Sequence, residues 1–154
     1  MELQRTRYGY AVRIDAGEEI VDALATFAAS EGVRAGAISG IGSVCDPELG
    51  FFVRATRDYT RRVFPGDWEI GALTGNFSEL EGRPFPHCHA LIGGADFAAV
   101  TGHLFRGVVA VTCEIQIMTD AGVLRRVSRP DLGFSPLELG SARRTSNFEN
   151  RDPA

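Results

Sequence analysis

The residues best placed to do chemistry are the chain's three histidines. His87 and His89 flank Cys88, and His103 follows fourteen residues later. Imidazole is the commonest nitrogen ligand for transition metals. Three of them leave a fourth position open to water or substrate, as in catalytic zinc sites rather than structural ones closed by cysteines. On a strand, side chains alternate with period two, so a His-x-His pair presents both rings on one face. Ala90-Leu91-Ile92 runs into the turn signal Gly93-Gly94-Ala95-Asp96, after which Phe97-Ala98-Ala99-Val100 resumes an apolar run. A hairpin centred near Ala95 sets His103 directly across from His87, with His89 two residues along on the same face. The spacing therefore predicts a divalent-metal site on His87, His89 and His103. Zinc suits three neutral nitrogens best, although nickel, cobalt, iron, manganese or copper could use the same donors. The plainer alternative is a hydrogen-bonded polar cluster. Cys88 points away from the pair and reads as a small buried residue.

Metal-assisted chemistry also needs an acid or base. If Arg106-Gly107 forms a two-residue hairpin turn, Thr101 faces Thr112 and Ala99 faces Glu114. That register puts Glu114 on the histidine face as a candidate catalytic carboxylate; a turn one residue longer points it away. Asn76 and Thr112 are candidates to hydrogen-bond a ligand or a ligating histidine, and Asn76 could equally make a turn after Gly75.

The elements that must position these residues are largely β. Tyr8 to Ile14 alternates as a strand. Asp15-Ala16-Gly17-Glu18 has capping-box spacing, which predicts Asp15 as N-cap of an amphipathic helix about four turns long. Ile20, Val21, Leu24, Phe27 and Ala28 form its apolar stripe and Gly32 its stop. Strands are expected at Ala35–Ser39, Leu49–Arg54, Thr60–Phe64, Trp68–Leu73, Pro86–Ile92, Ala98–Phe105 and Val108–Met118, with a final edge segment at Leu132–Leu139. Pro65-Gly66-Asp67 marks a turn. The glycines of Gly36-Ala37-Ile38-Ser39-Gly40-Ile41-Gly42 follow a helix rather than opening one, so they read as close-packing positions and not as a phosphate cradle.

The 154 residues are 44% hydrophobic and 23% charged, as in an ordinary globular domain. One domain is expected over residues 1–139, with a flexible tail over 140–154. Sixteen basic residues, all arginine, face 20 acidic ones for a net charge of −4. That balance argues against tight binding of duplex DNA, and the pairs Arg61-Arg62, Arg125-Arg126 and Arg143-Arg144 read as solvated surface. The N-terminal residues lack the apolar stretch of a secretory signal, and no run approaches the roughly 20 apolar residues of a membrane span. Three widely spaced cysteines (Cys45, Cys88, Cys113) fit reduced thiols, so a cytoplasmic protein is expected. One helix cannot cover a sheet of about seven strands, so the domain is expected to self-associate.

Several segments together resemble the plants-and-prokaryotes-conserved (PPC) domain. They are Arg13-Ile14-Asp15-Ala16-Gly17-Glu18-Glu19, Ala35 to Gly42, Trp68 to Asn76, Pro86-His87-Cys88-His89, and Thr101-Gly102-His103-Leu104 followed by Gly107 and Thr112-Cys113-Glu114. The resemblance covers about residues 6 to 139. It implies an α+β fold: a strongly bent, mostly antiparallel β-sheet with one main packed amphipathic helix, assembled as a homotrimer. Stand-alone prokaryotic members resemble this chain in keeping the three histidines. Plant members follow AT-hooks in DNA-binding proteins, and this chain has no Arg-Gly-Arg-Pro hook. The fold is similar to that of acetolactate decarboxylase, which places a metal on histidines of similar arrangement. Two functions follow as expectations: a metal-dependent enzyme or binder of a small oxygenated metabolite such as a keto or hydroxy acid, or a DNA-binding or regulatory module whose metal is structural.

Overall fold

Alternating apolar positions carry the chain into strands almost everywhere beyond the helix, and those strands run further than the turn signals suggest. The structure, a computed structural model, describes residues 1–140. Strands β1 (Glu2–Thr6) and β2 (Gly9–Asp15) form a hairpin, and helix α1 (Ile20–Glu31) follows. Then come β3 (Gly36–Val53), β4 (Asp58–Val63), β5 (Asp67–Leu80), β6 (Arg83–Gly93) and β7 (Ala99–Thr119), with short β8 (Arg125–Arg126) and β9 (Leu137–Glu138). All pairings are antiparallel except the parallel contact of β8 with β5.

The pairings of β7 with β3, β3 with β5, β5 with β6 and β6 with β7 close a ring. Closure requires bending, and β3 supplies it. Its register against β7 shifts at Gly42/Val44, Cys45/Glu48 and Glu48/Leu49, with Asp46 in the left-handed region at φ 48°. The expected hairpin at Arg106-Gly107 is absent. β7 passes straight through as one 21-residue strand, and β3 likewise joins the two shorter strands expected at Ala35–Ser39 and Leu49–Arg54. A bulge and a turn both interrupt the alternation of apolar residues, and only the neighbouring strand tells them apart.

Helix α1 buries Ile20, Leu24, Phe27 and Ala28 against the sheet. Phe27 meets Tyr10 edge-on at 5.0 Å and Phe77 at 5.9 Å, which ties helix, β2 and β5 into one core. The N-cap is Glu19, whose carboxylate accepts from the Asp22 amide, and not Asp15, which ends β2. Glu18 does reach back to the Asp15 amide at 2.9 Å, so the box spacing makes a turn before the helix rather than its cap. The helix is 12 residues long, shorter than four turns, and stops at Gly32 in the left-handed conformation as expected.

The glycines of β3 are close-packing positions: a Cβ on Gly40 would stand 2.8 Å from the Glu114 carbonyl oxygen and one on Gly36 2.6 Å from that of Met118. Gly75 matters most for the histidines. It pairs with Cys88, between His87 and His89, where a Cβ would overlap the His87 carbonyl oxygen and press to 3.0 Å from Cys88 Sγ. The edge segment expected at Leu132–Leu139 shrinks to Leu137–Glu138, and the tail expected over 140–154 lies outside the described residues from 141 onward. No helix among the described residues is long and apolar enough to cross a membrane.

Gly75→Ala is expected to cost about 1–3 kcal/mol, because backbone and not a flexible side chain must give way. Gly71→Ala on the same strand meets nothing closer than 3.9 Å and is expected to change stability by less than about 0.5 kcal/mol. Urea denaturation of both variants checks the pair.

Candidate metal centre

Strand β6 lies between β5 and β7, and that placement brings the three histidines together. His89 pairs with His103 across the β6–β7 ladder, and His87 pairs with Asn76 across the β5–β6 ladder. The hairpin is therefore centred one residue later than expected, which slides the register by two and puts His89, not His87, opposite His103. A slip of two preserves the face. Ring centroids lie 5.4 Å apart for His87–His89, 4.9 Å for His87–His103 and 5.5 Å for His89–His103. One nitrogen from each ring falls within 4.8 Å of the others. His87 Nε2 and His103 Nδ1 stand 3.1 Å apart, close to the roughly 3.3 Å edge of a tetrahedron with 2.0 Å zinc–nitrogen bonds. His89 is the exposed member of the three. The donor set fits a divalent ion, with a position left free.

Around the histidines the wall is aromatic. The Tyr59 ring lies 5.2 Å from that of His103, Phe105 lies 4.5 Å from it, and Phe85 lies 6.4 Å from His87. Arg61 stacks its guanidinium 3.6 Å over Phe105.

The feature that sequence reasoning missed is Arg126. Carried on β8, it is only 9% exposed. Its Nε donates to Ser78 Oγ at 3.0 Å, Nη1 to the Ser135 carbonyl at 3.0 Å, and Nη2 to Asn76 Oδ1 at 3.0 Å and His87 Nδ1 at 2.8 Å. Ser78 Oγ in turn donates to the Phe85 carbonyl at 3.2 Å. Arg125-Arg126 reads as solvated surface, yet strand alternation turns one of two neighbours inward, and that was the available signal. Among the described residues no carboxylate lies within ion-pair distance of Arg126, so it is a buried cation beside the histidines.

The other expected site residues divide. Asn76 is in place, tied to Arg126 and paired with His87. Glu114 and Thr112 are not brought to the histidines. Their register rested on the missing turn, and they lie further along β7 beside β2 and β3, where Glu114 pairs with Arg13 and Ile41 and Thr112 with Asp15. Both line a separate groove with Ile41, Gly42 and Glu69, where Thr112 Oγ1 is buried without a partner among the described residues.

Residues 3–120 match the model of the Plants and Prokaryotes Conserved (PCC) domain. The chain belongs to this family. Solved PCC-like structures agree over nearly the whole domain. A proposed DNA-binding protein from Bacteroides thetaiotaomicron is 31% identical with a TM-score of 0.85, over 89% of this chain and 96% of its own. A plant- and prokaryote-conserved protein from Pyrococcus horikoshii is 29% identical with a TM-score of 0.80, over 90% and 94%. A metal-containing protein from Archaeoglobus fulgidus is 28% identical with a TM-score of 0.80, over 90% and 97%. No curated protein sequence matches the chain at a significant level. The α+β fold expected from the resemblance is thus the PCC fold, with a mostly antiparallel sheet and one helix among the described residues.

Burial above all, helped by the Arg126 charge and the neighbouring rings, pushes His87 down to about 4. His103 is likewise pushed down to about 4 by burial, then by His89, Arg61 and Arg126. Both are neutral at pH 7, the form a metal requires. The unfolded chain takes up protons near the ordinary value of about 6.5 while the folded PCC domain resists until near 4, so protons favour unfolding in that window. Metal-free protein is expected to lose stability relative to a His87→Gln/His103→Gln variant as pH falls from about 6.5 to 4, with no change in the difference above about 6.5. Thermal unfolding of both proteins across pH 4–8 measures it.

Proposed function

We propose that this PCC domain holds one divalent ion, zinc by its donor set, on His87, His89 and His103 and offers the open position to a small oxygenated metabolite such as a keto or hydroxy acid. The observation that carries the reading is the convergence of three ring nitrogens, two of them on half-buried neutral imidazoles. The metal-containing neighbour from Archaeoglobus fulgidus supports it. When bound, the ion supplies a Lewis acid for a carbonyl oxygen or acidifies a water. His87, His89 and His103 would hold it, and Tyr59, Phe85 and Phe105 wall one side of the site. Glu114 of the same chain lines another groove and pairs with Arg13 and Ile41, so the function proposed is binding of the metabolite. The same reading has the domain as a homo-oligomer, a trimer by family resemblance, because Ile41, Val111 and Met118 remain exposed at 59%, 72% and 59%.

The Bacteroides thetaiotaomicron relative favours a second reading, binding of duplex DNA. Net charge works against it, since affinity for DNA rests on cations that neutralise phosphates, and one of the arginines, Arg126, is buried beside the histidines.

Chelator-stripped protein is expected to take up one zinc per chain in a titration, with His89→Ala and His103→Ala each weakening binding by more than the roughly 10–100-fold that loss of an outer hydrogen-bond partner costs. Uptake unaffected by both variants would refute the site. In fluorescence anisotropy at physiological salt, duplex DNA is expected to show no submicromolar binding; tight binding with a steep salt slope would establish the second reading. Light scattering is expected to report a trimer, and a monomer at micromolar concentration would exclude the assembly.

A further inference from the structure

We propose that Arg126 is a metal-gated anion ligand: it caps His87 in the metal-free protein and is released to a small carboxylate once a divalent ion sits on the three histidines. This rests on the metal reading above and names the charge of what binds there.

A guanidinium has only N–H groups to offer, so His87 Nδ1, 2.8 Å from Arg126 Nη2, must be the acceptor. A neutral imidazole carries one proton, which then sits on His87 Nε2 and is donated to His103 Nδ1 at 3.1 Å. The metal-free cluster is thus a chain of donors running Arg126, His87, His103. Coordination breaks this chain. If His87 ligates through Nε2, the nitrogen that faces His103, its proton must move to Nδ1, where an N–H would point at the N–H of Arg126. If it ligates through Nδ1, that lone pair is taken. Either way the contact between Arg126 and His87 is lost.

Arg126 stays anchored, since Nε keeps Ser78 and Nη1 keeps the Ser135 carbonyl. One freed Nη2 hydrogen is left beside the ligand set. The occupied site then joins a dication and Arg126 on three neutral ligands, while the nearby Arg61 already faces Glu48 at 3.9 Å. No carboxylate on Arg126 among the described residues offsets that charge, and bound anions answer it directly. A carboxylate oxygen accepts the freed hydrogen in a charge-assisted bond, and an oxygen on the neighbouring carbon offers the open position a second donor. Pyruvate is the simplest such molecule, and hydroxyacetone is a neutral analogue of similar size.

Asn76 provides the decisive variant. Asn76→Asp is isosteric and sets a carboxylate 3.0 Å from Nη2, drawing Arg126 away from both His87 and any incoming anion. Calorimetry on the full chain, wild type, Asn76→Asp and Arg126→Met, first measures zinc, then pyruvate and hydroxyacetone on the metal-free and zinc-loaded forms. Pyruvate is expected to bind the zinc-loaded wild type at least about tenfold tighter than the metal-free form, and hydroxyacetone to show no such gain. Both variants are expected to bind zinc about tenfold tighter and pyruvate about tenfold weaker. If Arg126→Met does not fold, Asn76→Asp carries the test alone. Nitrogen-15 spectra of the imidazoles are expected to show His87 protonated at Nε2 without zinc and at Nδ1 with it, if Nε2 ligates. Zinc uptake by the wild type together with unchanged pyruvate affinity in Asn76→Asp, or equal gains for hydroxyacetone, would overturn the role of Arg126 alone. No zinc uptake by the wild type would overturn the metal reading with it.

Discussion

Everything at the candidate centre depends on the backbone ladder that holds β6 between β5 and β7. A strand offers its side chains at period two, and a ladder aligns them with a neighbour's to within one residue. Two ladders meeting on one strand align three histidines that neither could align alone: β6 carries His87 and His89, β7 brings His103 opposite His89, and β5 backs His87 with Asn76. The ring of strands that makes this possible is closed by bulges in β3 and by glycines where strands approach too closely for a side chain, as at Gly75. The site is thus built on paired strands rather than on loops.

A second constraint is electrostatic. Arg126 is a cation only 9% exposed, with hydrogen bonds but, among the described residues, no carboxylate partner, an arrangement that ordinarily costs several kcal/mol. Its four hydrogen bonds reach Ser78 and Asn76 on β5, the Ser135 carbonyl and a histidine on β6, so it also fastens β8 to the ring. Burial first, with the Arg126 charge added to it, keeps His87 and His103 unprotonated at neutral pH. A site that lowers the proton affinity of its own ligands prepares them for a metal, while its uncompensated charge calls for an anion.

The candidate ligands were legible because period two is a local property. Any register that differs by two residues presents the same face, so the convergence survived an error in where the hairpin is centred. The placement of Glu114 did not survive, because it depended on reading Arg106-Gly107 as a turn. Glycine beside a charged residue serves a turn and a bulge equally well, and the choice is made by whether a partner strand continues alongside. β3 continues there, pairing Glu48 with Arg106 and Cys45 with Val108.

Sequence alone therefore determined the mostly β character, the helix with its glycine stop, the family and the shared face of the three candidate ligands, since each rests on short-range periodicity or on motifs within a few residues. Tertiary structure alone decided that β7 is unbroken, that Thr112 and Glu114 face another groove, and that Arg126 crosses from a distant short strand to His87. Such contacts join residues 39 apart in the chain. They are set by how a closed sheet bends, and no local pattern of residue types encodes that bend.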